Sequence, residues 1–125
     1  MFKPGTDENN VQMSDVLCDF CHREWTDELP LLEGHRGRMI CGNCLSIAYQ
    51  LLANERSSNA EAGYTCTLCR EGPEDRAALD RTEERGWASP ATGAAVCARC
   101  VRQAAGALHK DPDFPWSKPP RVAPS

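Results

Sequence analysis

Eight cysteines, grouped as four Cys-x-x-Cys pairs, constrain this chain more than any other feature. The pairs are Cys18 and Cys21, Cys41 and Cys44, Cys66 and Cys69, Cys97 and Cys100. Two cysteines three residues apart on a tight turn can face one ion together. The spacing is C-x2-C-x19-C-x2-C and then C-x2-C-x27-C-x2-C. The first set falls in the structural-zinc range, and the second has a longer arm. Zinc takes four soft donors in a tetrahedron, each sulfur at about 2.3 Å. The expected cofactors are therefore two Zn2+ ions. Cys18, Cys21, Cys41 and Cys44 hold one, and Cys66, Cys69, Cys97 and Cys100 hold the other. Interleaved pairing, as in cross-braced fingers, would trap a helix and a linker inside the brace, so tandem sites are favoured. A thioredoxin-like redox role is disfavoured because no βαβ pattern surrounds any pair.

The four pairs belong to a duplication. Arg38-Met39-Ile40 leads through Cys41-Gly42-Asn43-Cys44 into a helix whose Leu45, Ala48, Tyr49 and Leu52 share one face. Val101, Ala104, Ala105 and Leu108 repeat that spacing after Cys100. The leading pairs of the two copies are 48 residues apart and the trailing pairs 56 apart, so the second copy carries an eight-residue insertion. The predicted fold class is a small zinc-stabilised α+β fold with disordered termini. It has two tandem treble-clef-like modules, each a zinc knuckle, a β-hairpin and a helix.

The expected boundaries are a flexible N-terminus over 1–15, module 1 over 16–55, a linker over 56–63, module 2 over 64–110 and a Pro-rich disordered tail over 111–125. In module 1, residues 25–29 form a polar loop. Leu31-Leu32 pairs with Arg38-Met39-Ile40 around Gly34-His35-Arg36-Gly37, and Asn43 caps a helix that ends near Asn54. In module 2 the insertion is a helix-prone run from Pro73 to Gly86. Trp87-Ala88-Ser89 then pairs with Ala94-Ala95-Val96. Residues 56–63 have a flexible-linker composition. The tail, with Pro112, Pro115, Pro119, Pro120 and Pro124, cannot continue a helix, and Trp116 has no obvious core to enter. Trp25 and Trp87 suit small-core packing. His22 and His35, beside the knuckle and at a turn tip, suit solvated positions better than ligand roles.

Modules of about 40 residues lie at the limit of what a hydrophobic core alone can hold. With aromatic content at 6%, metal has to make up the difference. The formal charge is −4 with neutral thiols. A zinc held by four thiolates carries about −2, so the loaded chain lies near −8, a poor start for binding phosphates. Arg70, Arg76, Arg81, Arg85, Arg99 and Arg102 make module 2 the basic one, but Glu71, Glu74, Asp75, Asp80, Glu83 and Glu84 nearly cancel them. Residues 1–10 are polar and no run of 18 apolar residues occurs, so the expectation is a cytoplasmic protein, where thiols stay reduced, without a membrane partner. Four cysteines close a zinc shell. The sequence also lacks a P-loop, an H-E-x-x-H and a nucleophile elbow, so no enzymatic activity is expected.

Module 1 resembles the treble-clef zinc-binding domain at the front of the ClpX chaperone ATPases. The resemblance is carried by Cys18-Asp19-Phe20-Cys21, Leu31-Leu32-Glu33-Gly34, Ile40-Cys41-Gly42-Asn43-Cys44-Leu45 and Leu51-Leu52, over residues 16–52. The second copy is a weaker echo, rich in alanine where that family has larger apolar residues. The resemblance implies a dimerising module that recognises adaptors and substrates. These residues hold no ATPase domain, so unfoldase activity is not implied. The expected function is a non-catalytic protein-binding or adaptor module with an unidentified protein partner. A nucleic-acid-binding zinc-finger regulator and a redox-sensitive zinc chaperone are the alternatives. With two self-pairing modules on one chain, the expectation is a monomer whose modules dock on each other.

Overall fold

The computed structural model describes residues 1–26, 28, 30–81, 84–114 and 116–120. Leu29 of the polar loop, the acid Glu83, and Pro115 and Pro124 of the tail lie outside the described residues. Two small antiparallel sheets and a few helices make up the rest, an α+β architecture. In the first half, β1 (Leu31–Glu33) pairs with β2 (Met39–Cys41) and leads into α1 (Gly42–Tyr49). In the second half, a short α2 (Pro73–Ala78) precedes β3 (Gly86–Ala88), which pairs with β4 (Ala95–Cys97) before α3 (Ala98–Lys110).

The two halves correspond bond by bond. Cys18 N–H donates to the Arg23 carbonyl and Cys66 N–H to that of Glu71, both 48 residues on. Asp19 N–H donates to the Met39 carbonyl, and Thr67 N–H to the Ala95 carbonyl. Between copies the offset is 48 at the knuckles, 55 at β1 and β3, and 56 at β2 and β4. Seven inserted residues therefore lie ahead of β3, and the eighth lies in the hairpin loop.

Sequence and structure part company at α2. The predicted helix runs to Gly86, but α2 stops at Ala78, because Asp80 takes a left-handed conformation (φ 57°). Arg81 N–H then reaches back to the Arg76 carbonyl and Asp80 N–H to that of Ala77. That pair of bonds closes a helix C-terminus in the Schellman manner, with aspartate in the place glycine usually takes. Gly86 instead opens β3, where a Cβ would meet the Tyr64 ring at 2.7 Å. The first helical run ends at Asn54, where the sequence places it, but its last turn is not α. After Tyr49 the chain widens into a π-turn over Gln50–Asn54, closed by Glu55 N–H on the Gln50 carbonyl.

One hydrophobic cluster spans both halves, with Phe20, Ile40, Leu45, Ala48 and Leu52 from the first and Leu68, Trp87, Val96, Val101 and Leu108 from the second. Helices α1 and α3 lie against each other. The contacts between halves are reciprocal. The Phe20 carbonyl of knuckle 1 accepts the Ser89 hydroxyl of the second hairpin loop, and Thr92 reaches the Asp19 carbonyl at 3.1 Å. In return, His35 N–H of the first hairpin loop donates to the Leu68 carbonyl of knuckle 2 at 2.6 Å. Such reciprocity is the signature of a two-fold interface, here within one chain. Trp87 is buried in this cluster 5.7 Å from the Phe20 ring, whereas Trp25 is half-buried.

Three segments read from composition as loose carry specific contacts. At the N-terminus, Lys3 N–H donates to the Asp15 carbonyl and Phe2 pairs with Val16. The Met1 ammonium lies 2.9 Å from Asp19. Within 56–63, Asn59 places its side chain along the edge of β3, accepting from Ala88 N–H (2.7 Å) and donating to the Ala88 carbonyl (3.1 Å). Trp116 of the tail does find a surface to pack on, half-buried against the core cluster. Composition reports the absence of apolar periodicity, and side-chain-to-backbone bonds of this kind leave no periodic trace.

Candidate metal centres

Both knuckles owe their shape to a tight turn. His22 and Arg70 follow the second cysteine of their pairs with φ of 62° and 66°, and each N–H returns to the carbonyl of the first cysteine at 2.8 Å. The turns aim Cys18 with Cys21, and Cys66 with Cys69, toward the end of a strand. There β2 and β4 deliver Cys41 and Cys97, and the first helical turns deliver Cys44 and Cys100. Each hairpin therefore serves to bring a knuckle and a helix N-terminus to one point.

At each point four sulfurs converge. The thiols of Cys18, Cys21, Cys41 and Cys44 lie within 4.8 Å of one another, as do those of Cys66, Cys69, Cys97 and Cys100. Cys21–Cys41 measures 3.6 Å, and Cys18–Cys44, Cys66–Cys100 and Cys69–Cys97 each measure 3.9 Å. A tetrahedron with sulfurs at about 2.3 Å has edges of about 3.8 Å, so the donor set fits zinc in both size and chemistry. Three sulfur-bearing residues of each set are buried; Cys21 and Cys69 are partly exposed.

The surroundings favour thiolates. Cys18 Sγ accepts N–H bonds from Phe20 and Cys41, both at 3.3 Å, and Cys97 N–H donates to Cys66 Sγ at the same distance. Cys41 itself is the α1 N-cap, its sulfur accepting Cys44 N–H at 3.4 Å. The sequence assigns that cap to Asn43, which is exposed inside the helix. A ligand that also caps the helix places its negative charge on the positive end of the dipole. His22 and His35 are both exposed and belong to neither group of four.

Protons and metal compete for these sulfurs. Hydrogen bonds from the Cys41 and Cys44 thiols hold Cys18 down at about 2, and those from Cys100 and Cys97 hold Cys66 at about 4. Facing the Cys18 thiolate, Cys41 is pushed up to about 12 and Cys44 further still; Cys66 pushes Cys100 up in the same way. At neutral pH each metal-free cluster thus keeps a thiolate beside at least one protonated thiol. A dication must displace those protons. With both Cys41 and Cys44 raised, roughly two or more protons leave the first site on loading, so affinity rises with pH. Zinc affinity of the first site is expected to fall about a hundredfold or more per pH unit below 7, as read by competition with a chelator of known affinity.

Two residues near the sites are not obvious from sequence. Asp19 is buried inside knuckle 1. Its carboxylate accepts Met39 N–H at 2.7 Å and faces Arg38 at 3.3 Å, tying the knuckle to β2. Arg76, one of the arginines that nearby acids nearly cancel in the sequence, is 1% exposed. It lies 3.9 Å over the Tyr64 ring and donates to the carbonyls of Tyr64 (2.8 Å) and Glu71 (3.1 Å). Arg81 bridges Glu71 and Glu84, and Arg99 pairs with Glu71 at 3.1 Å. Arg76, Arg81 and Arg99 are therefore engaged within the second half.

These features define a small α+β protein with two four-cysteine groups, each able to hold a metal ion. No family model, curated protein or solved structure matches the chain. Among the described residues, no helix is long and apolar enough to cross a membrane.

Proposed function

We propose that this chain is a non-catalytic zinc protein that binds other proteins, built from two treble-clef-like modules of the kind that fronts the ClpX ATPases. The observation that carries this reading is the closed donor set. Four cysteines converge at each site, and a zinc ion held by four thiolates has no open position for water or substrate. Such an ion is structural, and function then belongs to the surface that it holds in place. The reciprocal contacts between the halves support a monomer in which one module takes the place of the other's dimer partner. Charge supports a protein partner over a nucleic acid, because the zinc-loaded chain lies near −8.

The test is a pull-down from native lysate with the zinc-loaded chain, one half of the lysate treated with nuclease. Stoichiometric protein partners in both halves are the expected result. Partners lost on nuclease treatment would favour the nucleic-acid regulator. Duplex DNA binding is expected to be weaker than micromolar near 0.15 M salt, measured by fluorescence anisotropy; tighter, steeply salt-dependent binding would contradict the reading.

A further inference from the structure

The tail occupies a groove that has the attributes of a peptide-binding site. The Trp116 indole N–H donates to the Gly42 carbonyl (3.1 Å) and the Ser46 hydroxyl (2.9 Å) at the start of α1. A Cβ on Gly42 would lie 3.3 Å from Trp116 Cδ1 and 3.5 Å from Pro30, so glycine leaves room for the indole. Three and four residues on, the Asn54 side-chain amide donates to the carbonyls of Pro119 (2.9 Å) and Pro120 (3.3 Å). Gln50 orients that amide at 2.8 Å. Pro119 also lines a hollow of about 480 Å³ with Ile47, Leu51 and Trp87, and Ile47 is 56% exposed.

Three features separate this arrangement from ordinary packing. The tail is held through an indole slot and a clamp on two backbone carbonyls, with Pro119 seated in the hollow beside Ile47. Proline-rich chains lose little entropy on being held extended. The slot is also confined to one copy, because module 2 has Ala98 and Arg102 where module 1 has Gly42 and Ser46. Finally, Trp116 follows Lys110, the end of α3, by six residues, a short tether that keeps the segment near the groove.

The geometry points to a docking groove on α1 for an extended partner segment with tryptophan followed by prolines three and four residues later. The chain's own Trp116, Pro119 and Pro120 are its resident, masking copy. The inference rests on the protein-binding function proposed above and names the surface and the partner chemistry. A tethered segment acts at millimolar local concentration, so a partner must exceed that threshold or present several copies.

The probe is a labelled peptide of residues 111–120, titrated into the zinc-loaded full-length chain and its Trp116→Ala variant. Saturable binding to the variant with a Kd below about 0.1 mM, and at least about tenfold weaker binding to the wild type, is expected. Adding Asn54→Ala should weaken binding to the variant about fivefold or more, and a peptide with alanine for tryptophan should not bind. No saturable binding to Trp116→Ala, or equal binding to both chains, would overturn the proposal. So would a dimer formed by exchanged tails, seen by light scattering. Should the variant lose its fold, wild-type exchange decides. The Trp116 indole proton should exchange well before the Val96 and Leu45 amides, and exchange only through global unfolding would overturn the proposal. Failure here with protein partners retained in the pull-down would leave the broader function standing.

Discussion

Complete removal of zinc is expected to unfold the entire chain, both halves together. Each half buries only a handful of large apolar side chains, chiefly Phe20, Ile40, Leu45 and Leu52 in one and Trp87, Val96, Val101 and Leu108 in the other. A zinc held by four thiolates contributes about 10–16 kcal/mol at neutral pH, comparable to or larger than the whole stability of an ordinary domain, about 5–15 kcal/mol. Without the cation, sulfurs 3.6–3.9 Å apart, most of them buried, must share protons in a site built to hold thiolates. Since α1 and α3 lie against each other, the loss should not stay local. NMR after exhaustive chelation should show collapsed amide dispersion. A dispersed spectrum from metal-free chain would show that the cores suffice alone.

The Phe20→Ala substitution is expected to destabilise the protein by about 3–5 kcal/mol, and to do so in both halves. Phe20 is fully buried at the junction, its ring against Trp87 and its carbonyl held by Ser89. Truncation leaves a cavity that knuckle 1 cannot close without pulling away from the second hairpin loop. Amide exchange should therefore accelerate at Val96, Cys97 and Val101 as well as at Ile40 and Leu45. Gly34→Ala attacks the reciprocal contact, because a Cβ there would stand 2.6 Å from the Leu68 carbonyl oxygen. Acceleration confined to the first half in both variants would mean that the modules fold and open independently.

What was legible in the sequence was whatever repeats. The cysteine pairs, the two hairpins and the apolar face of α3 announce themselves twice at related offsets. The structure puts strands over Leu31–Glu33 and Met39–Cys41 and again over Gly86–Ala88 and Ala95–Cys97. What was not legible occurs once. Arg76 is charged and lies in a polar run, and only the Tyr64 ring and two backbone carbonyls make its burial tolerable. Trp116 sits among prolines, and its slot depends on a missing Cβ at Gly42, seventy-four residues away. Asp80 ends α2 by adopting a conformation that sequence patterns assign to glycine. In each case the deciding partner is remote in sequence or is backbone, and neither leaves a periodic signal.

Native mass spectrometry of the chain, purified under reducing conditions in zinc-containing buffer, should show the 13.8 kDa chain carrying two zinc ions, with Cys44→Ala reducing the first site's occupancy and Cys100→Ala the second's. A folded chain carrying one zinc or none would contradict two structural zinc sites.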